Sequence, residues 1–351
     1  MRKLERIALI GHTRSGNAVG RLYSNWLALR AVGVEPRVLL PPGSRYWSPV
    51  ASDVAFTASV SDSPDLIGSW SDSIVIHKPW PGSLDVGLDM SRQYNLPTLL
   101  DVDDPDFENS FSERRWIAML QATSRPHRWR ASREILRLRA SVNRVYGVSI
   151  SNPSLRKWYN PAVVIPHARP ERTQGRAHQD EDLLRIAFVG TPRAHKGIQA
   201  LRDAAAVCRD THLTITAPEP SDLRPRERWT GQVSLNEGLA IVDESDIVCI
   251  PSENSVMGRG QLPAKLIDAM MSGRAIVATD LPPIRWAVGD GAILVNKATP
   301  EALAAAFQEL RDHRVRSGLG AVARQRAIAN FSAPNVGRRL LNYLELLNDV
   351  W

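Results

Sequence analysis

Short apolar runs, each closed off by Gly, Pro or charged residues, recur along the chain at Ile7–Ile10, Val38–Leu40, Ile74–Ile76, Thr98–Leu100, Val145–Ser149 and Val163–Ile165. Helical patterns such as Gly20–Ala31 and Arg133–Ser141 separate them. Uninterrupted runs suit strands buried on both faces, and intervening helices supply the crossovers that parallel pairing requires. After the stretch 166–182, rich in Arg, His, Gln and Pro, the pattern restarts at Ile186–Val189, Leu213–Thr216, Ile247–Ile250, Ala275–Ala278 and Ala292–Val295. A chain of 351 residues is too long for one ordinary core. The expectation is an α/β protein of two doubly wound parallel-sheet domains, 1–168 and 183–335, joined by a linker at 169–182. Such domains bind ligands at the carboxyl ends of their strands, here in a cleft between the two. The segment 217–229, with three prolines and six charges, reads as an exposed loop.

Two segments of the second half carry chemistry. In Arg185-Ile-Ala-Phe-Val-Gly-Thr-Pro-Arg-Ala-His-Lys-Gly197 a buried strand ends at Gly190, a loop carries Arg193 and Lys196, and Gly197 opens a helical pattern, Ile198–Cys208. Strand, basic loop and helix make a phosphate-binding arrangement, because unpaired helix N–H groups and two full positive charges face one place. Cations at the start of a helix oppose its dipole, so their presence there points to an anion nearby. The second segment runs from Gly260-Gln-Leu-Pro-Ala-Lys-Leu-Ile-Asp268 to Asp280. Pro263 suits a first helical residue, Gly273 suits a C-cap, and Ala275–Ala278 follows as a strand. Asp268 lies just over one turn inside that helix. Its carboxylate can accept two hydroxyl protons at once, as the vicinal hydroxyls of a ribose require. Lys265 reads either as a phosphate ligand or as a partner of Asp268.

These two segments resemble the donor motifs of family 4 glycosyltransferases, retaining enzymes with the two-domain, Rossmann-like GT-B architecture. Gly190, Lys196 and Gly197 match the phosphate loop; Thr191 stands where the family has Arg, and Arg193 is the substitute nearby. Asp268-Ala-Met-Met-Ser-Gly273 matches the second motif with Asp for Glu. The family's first glutamate is missing, since Gly260 occupies its place, and Glu253, after Pro251-Ser252, is the nearest carboxylate. The resemblance implies a nucleotide-diphosphate sugar as donor, held by Gly190, Thr191, Gly197, Gly260, Gln261, Leu262, Lys265, Asp268 and Glu253. It implies Arg193 and Lys196 on the leaving diphosphate and His77, at the end of a strand, on the donor sugar. A lone His there reads equally as a structural residue. His12, Arg14 and Gly16, after the first strand, become acceptor-side candidates. Residues 336–351 resemble the helix that crosses back onto the first domain. Asp101-Val-Asp103 has the look of the Asp-x-Asp metal motif of the other glycosyltransferase fold class, but Asp104-Pro105 reads as a strand end and turn. No metal and no cofactor are therefore assigned.

Charge changes the picture locally. The net charge is +7, yet Ser112–Lys157 alone carries ten Arg and one Lys against two Glu, with Trp116, Trp129 and Trp158 in or beside it. That segment reads either as a solvated helix face or as a docking surface for anionic lipid or a polyanionic acceptor, including a lipid-linked one. No nucleic-acid-binding motif accompanies it. Cys208 and Cys249 lie in apolar segments, which points to a reducing compartment rather than a disulfide. The N-terminal charges run directly into a strand without a signal-peptide core, and the location expected is cytoplasmic, at most at the inner membrane face.

The function expected is transfer of a sugar to an acceptor hydroxyl. A nucleotide-sugar epimerase of the same fold and a non-catalytic nucleotide-sugar-binding protein are the alternatives. A dinucleotide dehydrogenase is disfavoured, since glycines at 11, 16 and 20 do not form G-x-G-x-x-G.

Overall fold

The computed structural model describes residues 4–14, 17–43, 49–112, 126–193 and 196–351. The chain divides into two compact units, Met1–Ala168 with Ala333–Trp351, and Arg169–Ser332. Unit one contains β1 (Arg6–Ile10), β2 (Glu35–Leu39), β3 (Val60–Ser61), β4 (Ser73–His77), β5 (Thr98–Val102), β6 (Gly147–Ile150) and β7 (Val163–Val164). They form one sheet in the order β3-β2-β1-β4-β5-β6-β7, every pair parallel. Unit two contains β8 (Leu184–Phe188), β9 (Thr211–Ile215), β10 (Glu227–Trp229), β11 (Ile247–Ile250), β12 (Ala275–Thr279) and β13 (Ile293–Val295). Their order is β10-β9-β8-β11-β12-β13, again all parallel.

The central strands are buried on both faces, which is why they read as solid apolar runs: β4, β5 and β12 are buried throughout. In unit two alternate residues of β8 serve opposite cores. Leu184, Ile186 and Phe188 join one cluster; Ala187 and Val189 join the other. β10 lies inside the stretch expected to be an exposed loop. It is a short polar edge strand, and Glu227 within it holds the buried Arg202 at 2.9 Å.

The stretch expected as a linker packs on unit two. Gly175 N donates to Ser272 O (3.0 Å), and Arg176 N to Asp243 O (2.9 Å). His178 Nε2 lies 3.1 Å from Gly273 O, and Arg316 donates to Gln179 O at 2.7 Å. The last helix, Ala333–Val350, packs on the helix Asn17–Arg30. Contact there is backbone-close: a Cβ on Gly337 would come within 2.1 Å of Ala28 O.

Candidate functional site

In unit two both sequence segments end at the carboxyl edge of the sheet, and the structure brings them together. Lys196 Nζ donates to Gln261 Oε1 at 2.9 Å. Gly190 takes φ +151°, and its N–H donates to Thr216 Oγ1 at 2.8 Å. A Cβ built on Gly190 would lie 3.9 Å from Lys265 Cγ, so the loop passes beside the second helix. Gly197 caps the helix Ile198–Val207 with φ +63°. Any Cβ there would stand 2.1 Å from Pro251 O, so both the backbone angle and the fit demand glycine.

Neither helix that meets this edge is capped by its own side chains. The helix Ile198–Val207 begins at Gly197, and Ala264–Met271 begins at Pro263, each without a side-chain cap hydrogen bond. First-turn N–H groups without such a cap are suited to an anion. Leu262 and Gly260, just before the second helix, are both buried. Thr191 and Arg193 are exposed, and the Arg193 guanidinium has no partner among the described residues. Glu253 is also exposed; its carbonyl, not its carboxylate, is engaged, accepting from Ser255 N at 2.9 Å.

Asp268 is 1% exposed. Arg169 Nε donates to its Oδ1 at 2.5 Å, and Lys265 Nζ stands 3.5 Å from its Oδ2. Oδ2 accepts no hydrogen bond. Burial works to raise the carboxyl pKa, but Arg169 and Lys265 outweigh it and hold the group below the usual carboxylate range. The carboxylate thus has one oxygen taken, where the sequence suggested two available. Lys265 does pair with Asp268.

Unit one gathers a second set of groups at the carboxyl ends of β1, β4 and β5. His77 is 2% exposed, with Nδ1 3.3 Å from Asp101 Oδ2. Burial drives its pKa down to about 4 against the pull of Asp101, so the ring is neutral at ordinary pH. Asp101 is a buried hub. Arg21 grips it with two 2.7 Å bonds, and Ser149 Oγ (2.7 Å) and Asn25 Nδ2 (3.2 Å) donate to it as well. Lys78, in the left-handed region at φ +64°, places Nζ 3.2 Å from Asp103, 2.9 Å from Asp104 and 2.8 Å from Asp106. Burial disfavours that ammonium, yet the three carboxylates hold its pKa well above the usual lysine value. Asp103, buried and beside Asp104, is pushed up to about 7. The three carboxylates offer oxygens within 4.8 Å of one another, the only such cluster among the described residues. An ammonium already stands among them.

His12 is half-buried, its ring centroid 6.4 Å from that of Trp80, and burial followed by Lys78 lowers its pKa to about 4. Arg14 is committed elsewhere: its Nε donates to Pro41 O, and Nη2 is 3.4 Å from Asp62. Gly16 lies outside the described residues, as does 113–125 of the basic segment. Within its described part, Arg137 forms two bonds to Asp85 (2.9 and 2.7 Å) and pairs with Glu134, while Arg139 stands 3.6 Å from Glu108. Some of that positive charge is therefore neutralised by the protein itself. Sequence reasoning missed Arg21, Arg169 and Lys78; all three act through partners at least 25 positions away.

Residues 184–313 match the family model described as glycosyl transferases group 1. No curated protein matches the chain in sequence. Among solved structures, sucrose-phosphate synthase from Thermosynechococcus elongatus superposes with a TM-score of 0.71 at 18% identity, over 99% of this chain and 100% of that one. Anabaena Alr3699/HepE, solved in complex with UDP and glucose, gives 0.67 at 13% identity, over 97% and 99%. A putative UDP-N-acetylglucosamine 2-epimerase from Listeria monocytogenes gives 0.56 at 13% identity, over 97% and 95%. The fold is that of the two-domain GT-B glycosyltransferases, and the group 1 glycosyl transferase match lies within its second unit. No helix among the described residues is long and apolar enough to cross a membrane.

Proposed function

We propose that the protein transfers a sugar from a nucleotide-diphosphate sugar to an acceptor hydroxyl, retaining the anomeric configuration and using no metal. The observation that carries this reading is the meeting of Lys196 with Gln261, which joins the basic loop to the start of the second helix. In it, Lys196 and Arg193 face the donor diphosphate together with the N–H groups of the two helix starts. Negative charge builds on the leaving oxygen as the glycosidic bond breaks, and preorganised donors in that place stabilise it by several kcal/mol. Attack on the same face as departure lets the leaving phosphate take the acceptor's proton, so no separate protein base is needed. Asp268, with Lys265 beside it, faces the ribose. The complex of HepE with UDP and glucose, in a protein of like fold, is in keeping with such a donor.

A thermal-shift series with UDP, GDP, ADP and their sugars tests the binding side of this reading. A ligand present at about a hundred times its Kd adds about 2.7 kcal/mol to apparent stability, so at least one nucleotide should raise the Tm by a few degrees. If none does, donor binding is refuted.

Turnover should also survive exhaustive chelation, within about twofold, because side chains and helix dipoles supply the charge that a metal would otherwise bring. Activity lost in EDTA and restored by Mg²⁺ or Mn²⁺ would contradict metal independence and direct attention to Asp103, Asp104 and Asp106.

A further inference from the structure

We infer that Arg169 is a positioning residue for nucleotide binding: it occupies Oδ1 of Asp268 and thereby aims the remaining oxygen, Oδ2, at the donor. This rests on the donor-site reading given above and adds to it a residue that no motif contains. Arg169 is the first residue of unit two, 99 positions before Asp268. Its backbone is pinned, since its N–H donates to Phe331 O at 2.8 Å and it bridges to Ser332. The guanidinium is therefore delivered from a fixed point. Its Nε donates to Oδ1 at 2.5 Å, a short charge-assisted bond between groups 12% and 1% exposed.

The consequence lies in what Oδ2 is left with. It is buried, accepts no hydrogen bond, and has only the Lys265 ammonium 3.5 Å away. A buried carboxylate oxygen without a hydrogen bond is costly, and a hydroxyl donated by a ligand would relieve that cost. A carboxyl group is an acceptor at both oxygens, and a charge-strengthened one, only while it is ionised. Burial alone would favour the protonated acid; Arg169 first, then Lys265 and Arg172, keep it charged. Other charged groups at this helix are occupied with neighbours. Asp243, on the helix Leu235–Glu244, takes Arg172 and Ser272 Oγ, and Arg324, on the helix His313–Phe331, donates to the carbonyls of Met271 and Arg172. None of these replaces Arg169 at Oδ1.

The test is calorimetric titration of UDP, with GDP and ADP in parallel, into the wild type, Arg169→Ala, Arg169→Lys and Asp268→Asn, at about pH 8 and about pH 5.5. The wild type should show only the pH dependence that the terminal phosphate of the nucleotide brings, its second ionisation lying near about 6, because Asp268 stays ionised throughout. Arg169→Ala should bind at least roughly tenfold more weakly at the higher pH and weaker still at the lower, as the buried carboxyl takes up a proton. Arg169→Lys should recover part of the affinity and flatten the pH dependence, a rescue that a purely structural role would not give. Melting of each free variant separates lost fold from lost binding, and Arg169→Lys carries the test if Arg169→Ala does not fold. Asp268→Asn should lose affinity and show no pH dependence beyond that of the wild type. If Asp268→Asn binds weakly while Arg169→Ala binds like the wild type at both pH values, the inference fails and the donor site stands. If Asp268→Asn binds as tightly as the wild type, or no nucleotide binds the wild type, the donor-site assignment itself fails.

Discussion

Lys196→Ala should cut turnover by roughly 30- to 1000-fold, the equivalent of about 2–4 kcal/mol of transition-state stabilisation, while leaving the fold intact. Lys196 is half-buried, and its Nζ donates to Gln261 Oε1 at 2.9 Å, which holds it at the edge where the two helices begin. An ammonium in that place is a strong candidate for a phosphate oxygen. Loss of a contact that strengthens as the diphosphate departs lowers kcat, whereas loss of a contact made equally to bound substrate raises KM. The expected pattern is a fall chiefly in kcat, with a Tm within a few degrees of the wild type. A variant with wild-type kcat would remove Lys196 from the reacting centre.

Arg21→Met should destabilise the protein by about 3–5 kcal/mol at neutral pH, because it strips Asp101 of its cation and leaves a charge in the core of unit one. Arg21 holds both oxygens of Asp101 at 2.7 Å and donates to Ile165 O at 2.6 Å. Both residues are fully buried. Burial acts to raise the Asp101 pKa, but Arg21 overrides it and draws the pKa to about 2. An unfolded Asp titrates near about 3.9. The stabilisation is therefore fully present above that value and is lost as pH falls through about 2. In the variant the buried carboxyl keeps its proton to higher pH, so the gap between variant and wild type should narrow as pH drops below about 4. Chemical denaturation at several pH values measures it. A loss below about 1 kcal/mol at neutral pH would show that the hub contributes little.

How much of this was legible in sequence follows from where each interaction is written. Strands β1, β4, β5, β11 and β12 announce themselves because parallel strands covered on both faces must be apolar at successive positions. β10 did not, since Glu227-Arg228-Trp229 is held at the sheet edge by backbone pairing to β9 and by the Arg202–Glu227 bridge, neither of which leaves an apolar run. In the same way, the stretch 169–182 looked like a linker by composition. Its Arg and His residues are polar because they bind carbonyls and carboxylates of unit two, not because they face water. At the donor edge the sequence placed Gly190, Lys196, Gly197, Gln261 and Lys265 in two local segments, and local segments survive folding. It could not reveal that Asp268 is met by Arg169, that Asp101 is met by Arg21, or that Lys78 stands among three aspartates. The last two pairings depend on sheet order, which brings β1, β4 and β5 side by side, and the first on the backbone contacts that hold Arg169 to Phe331 and Ser332.

The central claim is that this chain breaks the bond between a sugar and a nucleoside diphosphate and passes the sugar on. The most direct measurement follows each donor that the thermal-shift series selects by NMR, with water and simple sugars supplied as acceptors. The account predicts free nucleoside diphosphate and a sugar product with the donor's anomeric configuration, both strongly reduced in Lys196→Ala. A donor returned intact with its sugar epimerised would identify an epimerase, and a donor bound but never cleaved would identify a binding protein; either result would contradict the account.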